Sequence, residues 1–375
     1  MLKKGAHVSL IFSKGRMSGV KNKIEQFSSH FNDNNVDVYV LNREFDGVIN
    51  GVIYINYDNL PMARFARIAR FYLIKSLIDF SCYDYVFLRY PLFDFSALLF
   101  RKELGKVYFE HHSIELNEIK KAGFPFLFKH VQYFSELLFA PLFLKKCLGH
   151  LSVTSQISSH QKSRFSGLGK YIVFSNGISL SDTDVVSSKE SIAGSLTNND
   201  SLQVVFVASE FKSWHGLDRL ISSLKNYHGE KPIVVNLVGF VSDQLLGDIQ
   251  SLYNQKVSFI LHGNKSKKDT LAIINNSHLG VDSLALDRIG FEVSSTLKSK
   301  EYVLLAKPFI SATVDQDLQC YEGTVWKKVD CQDDCFDFDC IVSWHESIRN
   351  EAISFPKETL SWQYKVRELV KEVTS

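Results

Sequence analysis

Four Ser and Thr hydroxyls, three lysines and a carboxylate are concentrated in Ser294-Ser-Thr-Leu-Lys-Ser-Lys-Glu-Tyr-Val-Leu-Leu-Ala-Lys-Pro308. The pattern predicts a helix over Ser295–Leu305. Either Ser295 or Thr296 can cap it, while the N–H groups of the first turn face outward with the positive end of the helix dipole, a ready site for an anion. Glu301 follows about one and a half turns later, where its carboxylate can accept two hydrogen bonds from the vicinal hydroxyls of a ribose. Lys307–Ser311 then reads as the next buried strand. A nucleotide-linked diphosphate suits this combination.

Three further clusters could carry chemistry. A strand at Leu202–Ala208 runs into Ser209-Glu-Phe-Lys-Ser-Trp-His-Gly-Leu-Asp-Arg219, where Lys212, His215, Gly216 and Arg219 make a phosphate grip: glycine lets the backbone come close, and cations offset the charge on a departing diphosphate. A strand at Lys106–Glu110 delivers Glu110-His-His-Ser-Ile-Glu115 at its carboxyl end. Adjacent histidines on a strand point to opposite sides, so at most one of the two looks into the cleft. No metal site is read here, for want of an i,i+4 partner. The loop Ser13–Asn22, with Gly15, Arg16 and Gly19, lacks the spacing of a dinucleotide fingerprint, and no acidic residue closes the strand Val36–Asn42, so a nicotinamide cofactor is disfavoured. It suits an anionic or hydroxyl-rich acceptor.

The elements that must position these groups follow one rhythm. Strands at Val8–Ser13, Val36–Asn42, Tyr85–Tyr90, Lys106–Glu110, His150–Thr154 and Lys170–Phe174, with an extra pair in Val48–Tyr57, alternate with helices at Val20–Phe31, Ala63–Phe80, Phe93–Leu104 and Phe124–Leu148. After a polar run the scheme repeats: strands at Leu202–Ala208, Ile233–Val238, Val257–Leu261, Leu279–Leu284 and Pro308–Ala312, helices at Gly216–Lys225, Asp243–Tyr253, Lys267–Asn275 and Ser295–Leu305. Such alternation implies parallel sheets with right-handed crossovers. The expected organisation is α/β: two doubly wound, Rossmann-like domains, 1–180 and 202–356, facing across a cleft, a linker at 181–201, and a closing helix in 357–375.

The 375 residues, 22% charged and 45% hydrophobic, suit two soluble domains. No secretory segment or apolar run of about 18 residues is found. Cys320, Cys331, Cys335 and Cys340 lack paired metal spacing and are read as free thiols in a reducing cytoplasm. Residues 1–175 hold 23 Lys and Arg against 14 Asp and Glu, a balance of +9, and the remainder 20 against 27, or −7. Arg64, Arg67 and Arg70 recur at steps of three beside Phe65, Ile68 and Phe71, and Lys129, Lys145 and Lys146 punctuate the Phe- and Leu-rich stretch after residue 124. Both read as basic amphipathic helices for an anionic membrane surface.

In this order the landmarks resemble the family-4 glycosyltransferases of the GT-B fold, those of bacterial capsule, exopolysaccharide or O-antigen synthesis. They are the Gly15–Gly19 loop, Glu110-His-His112, Asn176-Gly-Ile178, Trp214-His-Gly-x-Asp-Arg219 and Ser295-Thr-Leu-Lys-Ser-Lys-Glu301 with Lys307-Pro308. The resemblance implies retaining, metal-independent transfer from a nucleotide diphosphate sugar, with no separate cofactor and no nucleic acid partner, to a lipid-linked saccharide at the inner face of the cytoplasmic membrane. It implies that Glu301 holds the donor ribose and His112 touches the donor sugar. Ser295, Thr296, Leu297 and Lys298, with Lys212, His215, Gly216 and Arg219, would meet the nucleotide and diphosphate. Gly15, Arg16, Gly19 and Glu115 would lie on the acceptor side, and the closing helix would pack back on the first domain. Val293 stands where the family often has a glutamate, and His215 replaces a lysine, leaving Lys212 or Arg219 as the gripping cation. Both departures also suit a non-catalytic scaffold of the same fold. A nucleotide-sugar epimerase is the second alternative.

Overall fold

In the first half of the chain, β1 (Gly5–Leu10) leads to α1 (Gly19–Asp33), β2 (Val36–Asn42), the hairpin β3 (Gly47–Ile49) and β4 (Val52–Asn56), and α2 (Arg70–Leu77). Next come β5 (Tyr85–Arg89), β6 (Val107–His111), α3 (Glu115–Lys121), α4 (Phe126–Leu138), α5 (Ala140–Leu144), β7 (Gly149–Ser152), α6 (Ser155–Phe165) and β8 (Lys170–Val173). The computed structural model describes residues 3–12, 19–60, 63–121, 125–166, 169–180, 201–252, 256–331, 334–349 and 357–375. The strands form one sheet in the order β3-β4-β2-β1-β5-β6-β7-β8, in which β3 runs antiparallel. All six residues of β1 are buried, as expected of a strand with helices on both faces. The order reverses beside β1, with β2 on one side and β5 on the other, so ligands belong beyond the carboxyl ends of these strands.

The second half contains β9 (Leu202–Glu210), α7 (Leu217–Lys225), β10 (Ile233–Phe240), α8 (Asp243–Leu252), β11 (Val257–Gly263), α9 (Lys267–Asn275), β12 (Leu279–Val281), β13 (Val293–Ser294) and α10 (Leu297–Leu304). It continues with β14 (Phe309–Ser311), β15 (Val314–Asp315), β16 (Trp326–Lys328), α11 (Phe338–Ile348), α12 (Lys357–Leu360) and α13 (Trp362–Thr374). Its main sheet is parallel, in the order β11-β10-β9-β12-β14-β16, and reverses at β9. Leu217, Leu220, Ile221 and Leu224 of α7 recur at helical spacing and are all buried against it.

The chain divides into one unit of Met1–Ser175 with Trp362–Ser375 and another of Asn176–Ser361. Helix α13 therefore belongs with the first sheet. Its Trp362 ring meets Phe27 of α1 edge-on at 5.4 Å, and the indole N–H donates to Gln26. Residues 181–200 of the expected linker lie outside the described residues.

Several helices are shorter than their apolar periodicity predicts. Ala63–Phe80 resolves into a 3₁₀ turn at Ala63–Phe65 and α2, and Phe93–Leu104 into a 3₁₀ turn at Phe95–Phe100. The long stretch after residue 124 breaks at Phe139, because Pro141 lacks the N–H that would continue α4. The strand β16 and helix α11 were not anticipated. Arg70 leaves the surface stripe it was assigned to: it is 3% exposed, and its guanidinium donates twice to Gln132 at 3.1 Å. Arg64 and Arg67 stay exposed. All six cysteines are free.

At the far side of the first sheet, His150 is stacked between Phe165 and Tyr171, with ring centroids 4.9 and 5.0 Å away, and its Nδ1 lies 3.0 Å from His111 Nε2. Burial, assisted by His111 and Arg164, pushes the His150 pKa down to about 2, whereas the unfolded chain titrates near the ordinary 6.5. Below about pH 6.5 the unfolded state therefore binds a proton that the folded state does not, and stability falls as pH is lowered, by up to about 1.4 kcal/mol per pH unit for this group. Melting temperatures of the parent and His150→Phe between pH 7 and pH 5 check this: the variant should show the shallower decline.

Candidate functional site

On the second sheet, the loop after β9 doubles back so that the backbone of residue 215 meets the end of β12. Leu284 N–H donates to His215 C=O at 2.8 Å. Gly216 makes this approach possible. It has φ +76°, and a Cβ there would lie 2.8 Å from Leu284 Cβ and 3.0 Å from its carbonyl carbon. His215 Nδ1 accepts the Lys212 N–H at 3.0 Å, which puts the ring proton on Nε2. Burial, and then the nearby Lys298, lower its pKa to about 3, so at neutral pH His215 is a neutral donor and not a substitute cation.

Thr296 caps α10: its hydroxyl oxygen accepts the Ser299 N–H at 3.2 Å and donates to Asp282 Oδ1 at 2.8 Å. The Leu297 and Lys298 amides belong to the first turn, whose N–H groups have no carbonyl acceptor within the helix, and they stand at the positive end of its dipole. Ser295 has a different role from the one expected. Its hydroxyl accepts the Asn176 N–H at 3.0 Å and its carbonyl the Asn176 side-chain amide, so it fastens the asparagine–glycine–isoleucine segment.

Lys298 is only 9% exposed, and its buried Nζ has no hydrogen-bond partner. It lies 3.7 Å from Asp282 Oδ1, beyond hydrogen-bond reach, and 4.8 Å above the Phe206 ring. Burial lowers its pKa against the pull of Asp282, and burial raises that of Asp282 against the pull of Lys298. Glu301 pairs through Oε1 with Lys267 of α9, and no described residue bonds its Oε2. Asp282, at the end of β12, was missed in the sequence, although a carboxylate closing an apolar strand could have signalled it.

The two cations left open as phosphate grips are both committed within the protein. Lys212 is exposed and paired with Glu210. Arg219 is 7% exposed and braces the loop: Nη1 donates to Leu284 C=O and Asp287, each at 2.7 Å, Nη2 to Asp287 at 3.0 Å, and Nε to Asp334 at 2.8 Å. This fourfold use corrects its expected role.

In the first unit the two adjacent histidines separate as strand geometry requires. His111 is fully buried and pairs with Glu115, the i,i+4 partner that sequence reading overlooked. Glu115, expected on the acceptor side, is 3% exposed and is held by Gln161 at 2.8 Å and Arg164 at 3.4 Å, which makes it an interior residue. His112 keeps 19% of its side chain exposed, with Nε2 3.0 Å from Glu110 Oε1 but out of hydrogen-bond alignment. Burial, and then Arg89, lower its pKa to about 3 against the pull of Glu110, so it too is neutral. Burial alone would raise the Glu110 carboxyl, but the Lys23 ammonium and a hydrogen bond from His7 hold it well below the usual range. Gly15 and Arg16 lie outside the described residues, and Gly19 opens α1. Among the described residues no group of three or more His, Cys, Asp and Glu side chains is arranged to hold a metal ion.

No family model and no curated protein matches the chain in sequence. Solved structures do match it in shape. HepE of Anabaena, in complex with UDP and glucose, aligns over 100% of both chains with 14% identity and a TM-score of 0.65. WaaG, a glycosyltransferase involved in lipopolysaccharide biosynthesis, aligns over 99% of this chain and 100% of its own, with 11% identity and a TM-score of 0.65. The lipopolysaccharide outer core galactosyltransferase WaaB aligns over 99% of this chain and 100% of its own, with 14% identity and a TM-score of 0.60. The fold is GT-B.

Within this GT-B fold, Arg219 acts on structure and should behave so on mutation. Arg219→Lys loses the forked contact with Asp287 and should cost about 2 kcal/mol. Thermal unfolding of that variant, set beside its nucleotide affinity, checks the assignment: melting should fall, and affinity should not change selectively.

Proposed function

We propose that the chain is a retaining, metal-independent glycosyltransferase that moves a sugar from a nucleotide diphosphate sugar to a lipid-linked saccharide in bacterial surface polysaccharide synthesis. One observation carries the reading: the Lys298 ammonium is buried without a hydrogen-bond acceptor at the head of α10, on the carboxyl edge of a parallel sheet in a GT-B fold. A diphosphate oxygen would supply the missing acceptor. The first-turn amides of α10 and the Nε2–H of His215 would share the negative charge that grows on the leaving group. Glu301 Oε2 would take the ribose hydroxyls, and His112 would meet sugar hydroxyls as a neutral partner. The UDP and glucose bound to HepE support the donor class, and the lipopolysaccharide roles of WaaG and WaaB support the pathway.

Helix α4 supports a membrane-facing role, with its polarity reversed relative to an ordinary surface helix. Gln132, Ser135 and Glu136 are buried, while Phe126, Leu127, Val131, Phe134 and Leu138 are exposed, Leu127 by 78%. Leu142 of α5 and Phe95, Leu98 and Leu99 of the neighbouring 3₁₀ turn are exposed too. Arg64, Arg67, Arg101, Lys102, Lys145 and Lys146 are exposed in the same unit. We assign this apolar, basic surface to the interface of an anionic bilayer. No described helix is long and apolar enough to cross a membrane.

Two measurements test the reading. Lys298→Met should weaken the best binder among UDP, GDP and ADP by about tenfold or more, while melting stays level or rises because a buried charge is gone; unchanged affinity would sink the donor assignment. Failure of all three nucleotides to bind the parent would favour the scaffold alternative. For the surface, Phe126→Ser with Leu127→Ser, and separately Arg64→Glu with Arg67→Glu, should release the protein from phosphatidylglycerol vesicles in co-sedimentation. Equal pelleting of parent and variants would refute attachment.

A further inference from the structure

At the amino-terminal edge of the second sheet, opposite the edge that carries Lys298, the segments entering β12 and β14 and the end of α11 enclose a cavity of about 310 Å³. Four basic side chains line it: His278, Lys307, His345 and Arg349, with no carboxylate among the lining residues. His278 Nδ1 accepts the Gln203 N–H at 3.0 Å, so its proton is on Nε2. His345 is 7% exposed, and its buried Nδ1 has no hydrogen-bond partner. Neither the Lys307 ammonium nor the Arg349 guanidinium has a hydrogen-bond or ion-pair partner among the described residues. Burial pushes the Lys307 pKa down with no acid to oppose it. Glu346, the acid next in sequence to His345, pairs with Lys231 at 2.9 Å.

Cations at the ends of helices have an ordinary explanation, since they neutralise the last carbonyls and the helix dipole. It does not cover Lys307. The carbonyls at the end of α10 already have donors: Leu305 N–H for Glu301 at 3.2 Å, Lys307 N–H for Tyr302 at 2.8 Å, Ala306 N–H for Val303 at 3.0 Å and Lys357 Nζ for Leu304 at 3.2 Å. The Lys307 backbone is part of this cap, and its ammonium is left over. The two imidazoles are held neutral chiefly by burial, so Lys307 and Arg349 carry the charge of the cavity, and two cations side by side are retained at least cost where an anion completes them.

We propose that this cavity is a second anion site, which takes a soluble phosphorylated small molecule through Lys307, Arg349 and the Nε2–H of His278. Arginine offers the oxyanion a forked pair of donors, lysine a point charge, and the imidazole a single directed hydrogen bond. The site is built within one unit and does not depend on the sugar-transfer reading.

Calorimetric titration with inorganic pyrophosphate tests it, using the full chain, Lys298→Met, and the double variant Lys307→Gln with Arg349→Gln. Lys298→Met should retain a pyrophosphate site of parental affinity, and the double variant should lose at least tenfold at that site while keeping the parental melting temperature or exceeding it. The single variant Arg349→Gln, at an exposed helix end, provides the same comparison should the double variant misfold. Parental binding in the double variant, or in its single-variant stand-in, overturns the proposal. So does loss of all pyrophosphate binding in Lys298→Met alone, or failure of the parent to bind at millimolar pyrophosphate.

Discussion

A lysine kept from water without an acceptor is the constraint around which the second unit's carboxyl edge is arranged. Withdrawing an ammonium from solvent costs several kcal/mol even after relaxation. The surroundings of Lys298 return part of that cost: the Asp282 carboxylate at 3.7 Å and the Phe206 ring face at 4.8 Å. The pair is not at ease. Both members are shifted toward their neutral forms, Lys298 downward and Asp282 upward, burial being the larger influence on each. A structural salt bridge in good geometry shifts the other way, and one is present two residues along the same helix. Lys300 donates to Asp315 at 2.6 Å and pairs with Asp317 at 2.8 Å, and its pKa is raised. Two buried lysines on one helix thus differ: Lys300 is satisfied within the fold, and the Lys298 ammonium is left without a hydrogen-bond acceptor.

The first unit shows the same contrast around one carboxylate. Glu110 accepts from His7 at 3.0 Å and lies 3.5 Å from Lys23 and 3.0 Å from His112. The acid is the member that gains, while Lys23, 5% exposed, is lowered to about 8, chiefly by burial. His112 remains neutral chiefly through burial, with Arg89 adding to it.

The layout of strands and helices was legible because it rests on local periodicity: the runs from Leu202 and Ile233 alternate with α7 and α8 at spacings any parallel sheet imposes. So was the head of α10, since a cap needs only neighbours in sequence, although the sequence left Ser295 and Thr296 equal and the contact with Asn176 decided between them. What could not be read was which charges face inward. Arg70 reads as part of a surface stripe, Glu115 as an acceptor-side residue and Arg219 as a phosphate grip, and each is instead buried by partners far along the chain, Gln132, Arg164 and Asp287. Burial of a charge depends on such long-range pairing, which no window of residues contains. The overlooked break at Pro141 was local, and lay within reach of the rule that proline ends a helix.

Helix α4 shows why inward polarity matters to what the outside can do. Hydrophobic burial alone would roll Phe126, Leu127 and Phe134 toward the core. The helix is held the other way by hydrogen bonds: Gln132 accepts from Arg70 and donates to Phe93 C=O at 2.7 Å, and Glu136 accepts from Tyr90 at 3.0 Å, from Phe93 N–H at 2.7 Å and from Arg164 at 3.0 Å. Three elements are thereby tied to the polar face, and rotating the helix would leave several buried groups unpaired, each at a cost of about 1–3 kcal/mol. The exposed apolar stripe is thus fixed by the interior rather than tolerated at the surface.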